Sequence, residues 1–496
     1  MEVAEFLLQN KATVTIFVSV IAICLLRFLL REKVCYKGLP PGSLGHPFVG
    51  ETVGFLCAFK TNKIEEFIRH RVMAYGPVFK TCLFRQPTVV FTGPAGNRFW
   101  LFNDGKLFHG NAQGPHRAVI GRNSLLDKTG NEHRRIRAAL MNFFSPDSLK
   151  KLVGRMDSAV RRHLDEYWDG RDLVHAAPLI KSQTFSVTCE VLFDLQNKEE
   201  VEELCEHFKV ATEGIYTFPL RLPGTRLHRA LRARAHIDRI LSAMITRRKD
   251  DVLSGRVSAE EDLVWSLVSM TDKDDKPLTD KEVKDNMVLF IIAGHETTAM
   301  TIALMCKMLS SNPHCSEKIA KESEEIISHK SEGEPLTWED VQRMKYLWSV
   351  AQETLRIIPP ISGIFRKATT DINYGGYTIP KGWSLYWSNY STVYHQDFFP
   401  EPHKFDPLRF EISSSITPYS FLPFGGGPRM CPGNEYAKLE ILMTMHHLVK
   451  RYRWEAQFPD EPIIRNPLCV PARGLPLRLS HTNDVKREPK RFDVNC

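Results

Sequence analysis

The segment from Thr279 to Pro313 constrains this chain most. Thr279-Asp280-Lys281-Glu282 is a capping box, with threonine at the N-cap and glutamate three residues on. An apolar run from Met287 to Leu309 follows, and Asn312-Pro313 ends it. The pattern predicts one helix of about 30 residues, about 45 Å long at ~1.5 Å per residue. A helix this long, and apolar on most faces, should cross the middle of a domain. At its centre sits Ala293-Gly294-His295-Glu296-Thr297-Thr298. Polar groups there need a reason, because burying them unpaired is costly. One reading is structural: Thr297 and Thr298 bond back to carbonyls one turn earlier, and Glu296 meets a basic partner. The other is chemical, with the same groups facing a reacting centre. A zinc-protease H-E-x-x-H reading fails, because Ala299 occupies the fifth position.

The rest of the chain reads as mainly α with a smaller β region. Residues 77–83 and 88–91 are β-branched or aromatic runs around Arg85-Gln86-Pro87, the pattern of a hairpin. Residues 131–357 are mostly helix-like, and strand signals return over 362–390 and near the C-terminus. The 496 residues are 43% hydrophobic and 25% charged, a globular balance that excludes bulk disorder. A net charge of +8 is mild over this length and argues for a membrane face or acidic partner, not for nucleic acid. The eleven cysteines include no closely spaced pair, which argues against zinc and against a secreted disulfide framework.

The N-terminus departs from soluble composition. Residues 12–30 form an apolar run broken only by Arg27, with Arg31, Lys33 and Lys37 behind it. A membrane span needs about 20 apolar residues, so this one suffices if Arg27 snorkels. Glu2 and Glu5 precede the run and no A-x-A follows it, which argues against a cleaved signal peptide. The basic flank then leaves 1–11 lumenal and the body cytosolic. Residues 31–47, ending in a Pro/Gly-rich stretch, read as a hinge. A folded body over 48–480 and a basic tail over 481–496 complete the layout.

The motif richest in chemistry is Phe424-Gly425-Gly426-Gly427-Pro428-Arg429-Met430-Cys431-Pro432-Gly433. At average residue usage its spacing, F-x-x-G-x-R-x-C-x-G, recurs by chance in roughly one chain in ten thousand. Each part has a job if Cys431 ligates a haem iron. A thiolate donates strongly and favours O–O cleavage. Backbone N–H groups aimed at the sulfur temper that donation, and glycines such as Gly427 and Gly433 let the backbone approach. Arg429 can pair with a haem propionate. Phe424 can shield the sulfur from water. A phosphate-loop reading of Gly54–Thr61 fails at Phe59.

These residues resemble the cytochrome P-450 superfamily over nearly the whole chain. Glu353-Thr354-Leu355-Arg356 looks like its E-x-x-R, and Pro407-Leu408-Arg409-Phe410 like the element whose arginine completes that structural triad. The central helix is similar to the family's oxygen-activation motif. The resemblance implies that Thr297 orders water and protons near dioxygen and that Glu296 relays protons from solvent. It also places His133, Arg137 and Arg366 near the haem propionates, with His133 replacing the usual tryptophan. It implies the cytochrome P-450 fold, haem b (iron protoporphyrin IX) as cofactor, and a small apolar substrate oxidised with O2. No flavin or nicotinamide motif is visible, so electrons should come from an NADPH-cytochrome P-450 reductase. The expected location is the endoplasmic reticulum membrane, single-pass, with the catalytic domain cytosolic.

Residues 92–99, 423–437 and 471–476 resemble plant members of the terpenoid- and sterol-oxidising clan, in particular triterpenoid and taxane-type diterpenoid hydroxylases. That implies a rigid polycyclic substrate. Its pocket should draw on the 109–125 loop, the helix face near Phe290 and Ala293, Ile361–Ile364 and Leu468–Val470. A haem isomerase tends to lose the acid–threonine pair that is intact here. A haem sensor would not need the central-helix motif.

Overall fold

The computed structural model describes residues 38–482, apart from 111–113, 216, 218, 256–261, 272–276, 332, 412–415 and 466–467. In the N-terminal stretch it describes only Thr15, Ser19, Ala22 and Ile23. The expected membrane span and basic tail therefore lie almost wholly outside the described residues.

The chain opens with α1 (Thr52–Lys60), α2 (Ile64–Tyr75), β1 (Val78–Leu83), β2 (Gln86–Phe91), α3 (Gly93–Asn103), β3 (Phe108–Gly110) and α4 (Pro115–Ile120). The helical body follows as α5 (Gly130–Phe143), α6 (Pro146–Tyr167), the short β4 (Leu173–His175), α7 (Ala176–Phe193) and α8 (Lys198–Ile215). It continues through α9 (Arg226–Leu253), α10 (Leu263–Val268), α11 (Asp280–Ser311), α12 (Pro313–Ile327), α13 (Trp338–Arg343) and α14 (Lys345–Ile357). Then come β5 (Gly363–Ala368), β6 (Ile372–Tyr374), β7 (Tyr377–Ile379), β8 (Ser384–Ser388) and α15 (Tyr390–Val393). The last elements are α16 (Asn434–Arg451), β9 (Tyr452–Ala456), β10 (Ile463–Arg465), β11 (Cys469–Pro471) and β12 (Pro476–His481).

The long helix forms where its signals place it. Glu282 accepts the Thr279 N–H at 2.9 Å and Thr279 Oγ1 accepts the Glu282 N–H at 3.3 Å, so two orphan donors are satisfied. α11 is long and apolar enough to cross a membrane, yet most of it is buried in the body. It runs through the main hydrophobic core, where Met287, Ile302 and Met305 are shielded from solvent. It packs on α7, α9, α10, α12, α14 and α16.

Five strands form the main sheet in the order β1-β2-β8-β5-β3. The β1–β2 hairpin turns on Phe84 and Arg85, both left-handed, with φ of 53° and 63°. Two such residues give a turn whose twist matches the flanking strands. The ladder therefore starts at Gln86, two residues before the expected strand. β8 joins β2 in parallel, and β5 runs antiparallel to β8.

The boundary drawn at residue 48 needs correction. The Pro/Gly segment is no free hinge, because its carbonyls are used by the body. Gly38 O accepts the Thr378 N–H at 2.8 Å, and Pro41 O accepts the Lys80 N–H at 2.7 Å. Lys80 Nζ reaches Pro40 O at 2.7 Å. Pro40 and Pro41 have no N–H to place, so this part of the segment can lie beside β1 and offer it their carbonyls. The folded body therefore includes residues 38–47.

Candidate active site

The cysteine loop is closed by its own backbone. The Cys431 N–H donates to Phe424 O at 2.9 Å. The Gly433 N–H is directed at the Cys431 sulfur, and α16 begins one residue later. A helix N-terminus favours negative charge, so the main chain here suits a thiolate. Burial pushes the Cys431 thiol up, while the Gly433 N–H and Arg137 pull the other way. A cation at the sulfur would favour the thiolate. Gly427 has φ of 62°, and a Cβ there would lie 2.6 Å from Leu101 O. One on Gly426 would lie 3.0 Å from Leu101 Cδ1. These two glycines let the loop lie flat on α3, whereas the expected role was approach to the sulfur. The N–H directed at the sulfur comes from Gly433, where a Cβ would meet nothing within 4 Å. Phe424 stacks on Trp348 of α14, with ring centroids 6.5 Å apart.

Behind the loop, Glu353 and Arg356 are fully buried on α14. Arg356 Nε meets Glu353 Oε2 at 2.7 Å and Nη2 meets Oε1 at 2.9 Å, a bidentate pair. Arg356 also donates to Val393 O at 2.8 Å. Arg409 approaches Glu353 Oε1 at 3.4 Å and donates to Glu401 O at 2.9 Å. The Asp406 N–H adds a bond to Glu353 at 2.9 Å. The three residues grouped by sequence thus form one network tying α14 to the stretch that precedes the cysteine loop.

His133, Arg137, Arg366 and Arg429 converge from α5, β5 and the cysteine loop. Burial, then the charges of Arg429, Arg137 and Arg366, push His133 down to about 4, so it is neutral at pH 7. Arg137 donates to Met430 O at 2.7 Å, next to Cys431. Arg429 donates to Leu125 O at 3.2 Å and Lys128 O at 2.7 Å. Arg366 pairs with Asp104 at 2.9 Å. Asp104, at the end of α3, was not legible in the sequence, since no motif marks it. Three guanidinium groups beside one carboxylate leave a site short of negative charge. A haem carries two carboxylates and needs a thiolate ligand, and the donor set here fits both requirements.

At the centre of α11, Ala293 is exposed and Gly294, Glu296 and Thr297 are half-buried, although the helix is buried on both sides of them. This face borders an internal cleft. Thr188 of α7 touches the other side of the turn: a Cβ on Gly294 would lie 3.5 Å from its hydroxyl. Tyr436 of α16 lies near the same threonine, although neither hydroxyl has a hydrogen-bond partner among the described residues. Thr297 Oγ1 donates to Ala293 O at 2.6 Å. Thr298 Oγ1 is buried with no partner among the described residues, so only one of the two expected back-bonds forms. Glu296 has its basic partner: Lys181 Nζ lies 2.6 Å away, and His295 Nε2 3.4 Å. Burial works to raise Glu296, but His295 and Lys181 outweigh it and hold it at about 2. Phe290, one turn before Ala293, is buried and meets Phe144 edge-on at 6.5 Å. Leu468 packs against the cluster that holds Met300 and Leu304 of α11, which puts the 468–470 segment beside the central helix.

A thiolate-ready cysteine loop, a buried Glu–Arg brace, an anion-hungry arginine cluster and an acid–threonine turn define a class. The chain belongs to the cytochrome P450 family, whose model matches residues 40–476, and is a haem-thiolate monooxygenase. It is 42% identical over 465 residues to the taxoid 14-beta-hydroxylase of Taxus cuspidata, covering 93% of this chain and 91% of that one. It is 41% identical over 474 residues to the beta-amyrin 28-monooxygenase of Vitis vinifera, covering 93% and 98%. Among solved structures, retinoic acid bound cyanobacterial CYP120A1 shares the fold with a TM-score of 0.79 at 30% identity, covering 90% of this chain and 99% of that one.

Proposed function

We propose that this enzyme hydroxylates an apolar polycyclic terpenoid of the diterpenoid or triterpenoid class, or a sterol-like hormone. The observation that carries the reading is full-length similarity, at about the same identity, to relatives named for taxoids and for beta-amyrin. What those substrates share is a large rigid hydrocarbon skeleton. The exposed apolar side chains of Ile361 and Val470 suit such a skeleton. Feeding a panel of diterpenes, triterpenes and sterols to cells making the full chain with a reductase tests it. A product one oxygen heavier from a polycyclic terpenoid is expected, and turnover of linear fatty acids alone would contradict it.

Haem, when bound, supplies activation of dioxygen with electrons from an NADPH-dependent reductase. Cys431 would hold the iron, with Arg137, Arg366, Arg429 and His133 around the propionates. Phe424, Gly427 and Gly433 shape the loop. Thr297 would position water on the cleft face of α11. Glu296 is a charged acceptor while Lys181 holds it, so relaying a proton requires it to leave that pair. Thr297→Ala should keep the haem but cut product by about tenfold or more. NADPH consumption should hold within about twofold of its former rate, with the difference appearing as hydrogen peroxide. Unchanged coupling would remove Thr297 from the proton path.

We also infer a single-pass anchor over 12–30 in the endoplasmic reticulum membrane, with the body cytosolic. Support comes from the body's first turns. Phe48 and Val53 are 52% and 60% exposed, with Leu44, Val49 and Leu56 beside them in sequence. The Phe84 N–H bonds Thr52 Oγ1 at 2.8 Å, which adds exposed Phe84 to the patch. An exposed apolar patch at the start of the body suits a lipid surface. Leu220 and Leu222 are likewise exposed beside Arg221, Arg226 and Arg229, while Phe218 lies outside the described residues.

A further inference from the structure

Asn97, in the middle of α3, is only 3% exposed, an unusual place for an amide. Its partners come from three separate parts of the chain. Its Nδ2 donates to Tyr419 O at 2.7 Å and to Thr392 Oγ1, on α15, at 3.1 Å. Its Oδ1 accepts the Trp387 Nε1–H, on β8, at 2.7 Å. The indole can only donate and the Tyr419 carbonyl can only accept, so the two ends of the amide cannot be exchanged. Aspartate would set a carboxylate oxygen against that carbonyl, and leucine would strip all three bonds.

The cysteine loop rests on the same helix. Leu101 lies one turn after Asn97. A Cβ on Gly426 would stand 3.0 Å from its side chain, and one on Gly427 2.6 Å from its carbonyl oxygen. Phe102 meets the Tyr419 ring edge-on at 6.4 Å. Stretch 419–427, which leads to Cys431, therefore touches α3 at both its ends. At the C-terminal end of α3, Asp104 pairs with Arg366 at 2.9 Å. Trp100 stacks on Trp387 with centroids 6.4 Å apart, which holds α3 to β8, the middle strand of the main sheet. Apolar contact of that kind has no direction and leaves the helix free to slide. The bonds of Asn97 are directional and remove that freedom.

We propose that Asn97 is a positioning residue: it fixes α3 lengthwise against β8, so that Leu101 seats Gly426 and Gly427 and keeps the Cys431 thiolate on the iron. The test uses the haem-loaded full chain, reduced under carbon monoxide, at a urea concentration just below unfolding. The red-shifted Soret band reports thiolate ligation, and far-UV circular dichroism reports the fold. The proposal rests on Cys431 as the iron ligand, and the presence of that band in the unaltered chain checks this separately. In Asn97→Leu and Asn97→Asp the band should decay about tenfold faster while the helical signal holds. Leu101→Ala breaks the seat and spares the bonds of the amide. It should do the same, and the double variant Asn97→Leu/Leu101→Ala should decay no faster than the faster single. Trp454→Phe on β9, which loses a bond to Cys306 O at 3.0 Å, is the control and should stay within about twofold of the unaltered chain. A band as durable as in the unaltered chain, or one lost only in step with the helical signal, overturns the proposal. So does a double variant whose two effects multiply. If Asn97→Leu gives no folded protein, Trp387→Phe, which removes one bond and keeps a ring, is read by the same outcomes.

Discussion

Glu353→Ala is expected to yield little or no haem-loaded enzyme. The substitution leaves the Arg356 guanidinium in a fully buried position without its carboxylate. Removing one partner of a buried ion pair typically costs about 3–5 kcal/mol, because the charge left behind is uncompensated. It also removes the acceptor used by Arg409 and the Asp406 N–H, so the stretch leading to the cysteine loop loses its tether. Domains of ordinary stability hold only about 5–15 kcal/mol in reserve. Thermal unfolding and haem content of the purified variant check this. Arg356→Leu should be as damaging, since it strands Glu353. The double replacement of both by apolar residues should recover part of the loss, because the unpaired charge disappears. A double variant no better than the worse single would mean that the backbone bonds of Arg356, to Val393 and Lys404, carry the stability instead.

Cys431→Ser is the second large effect, and it falls on chemistry more than on fold. Serine is close in size, and the loop is closed by the Cys431 backbone N–H, which the substitution keeps. The hydroxyl is a far poorer donor to iron than a thiolate. Losing an outer partner of a metal ligand costs roughly 10–100-fold, so losing the ligand itself should cost more than ~100-fold in activity. The red-shifted Soret band of the reduced carbon monoxide complex, which reports thiolate ligation, should disappear. Survival of that band would mean that another residue ligates the iron.

Signals that were local in sequence translated directly into structure. The capping box of α11 and the Glu353–Arg356 pair each depend on residues within one turn, and the hairpin was legible although its turn falls at Phe84-Arg85 and not at the expected Arg85-Gln86-Pro87. The partners supplied from afar could not be read. Asp104 meets Arg366 across 262 residues, and Lys181 meets Glu296 from a different helix. Neither acid nor base carries a motif, because any surface-type side chain at the right place in the fold would serve. The role expected for Gly427 missed for a related reason: its constraint comes from Leu101, which only the packing of α3 reveals. The Pro/Gly segment misled because prolines signal rigidity without saying whether their carbonyls find donors.

The most direct test of the whole account is oxygen incorporation by membranes containing the chain and an NADPH-dependent reductase, supplied with isotopically labelled dioxygen and a polycyclic terpenoid. The account predicts one labelled oxygen atom per molecule of product, and no product without NADPH. Oxygen drawn from water, or full product formation with NADPH left out, would contradict it.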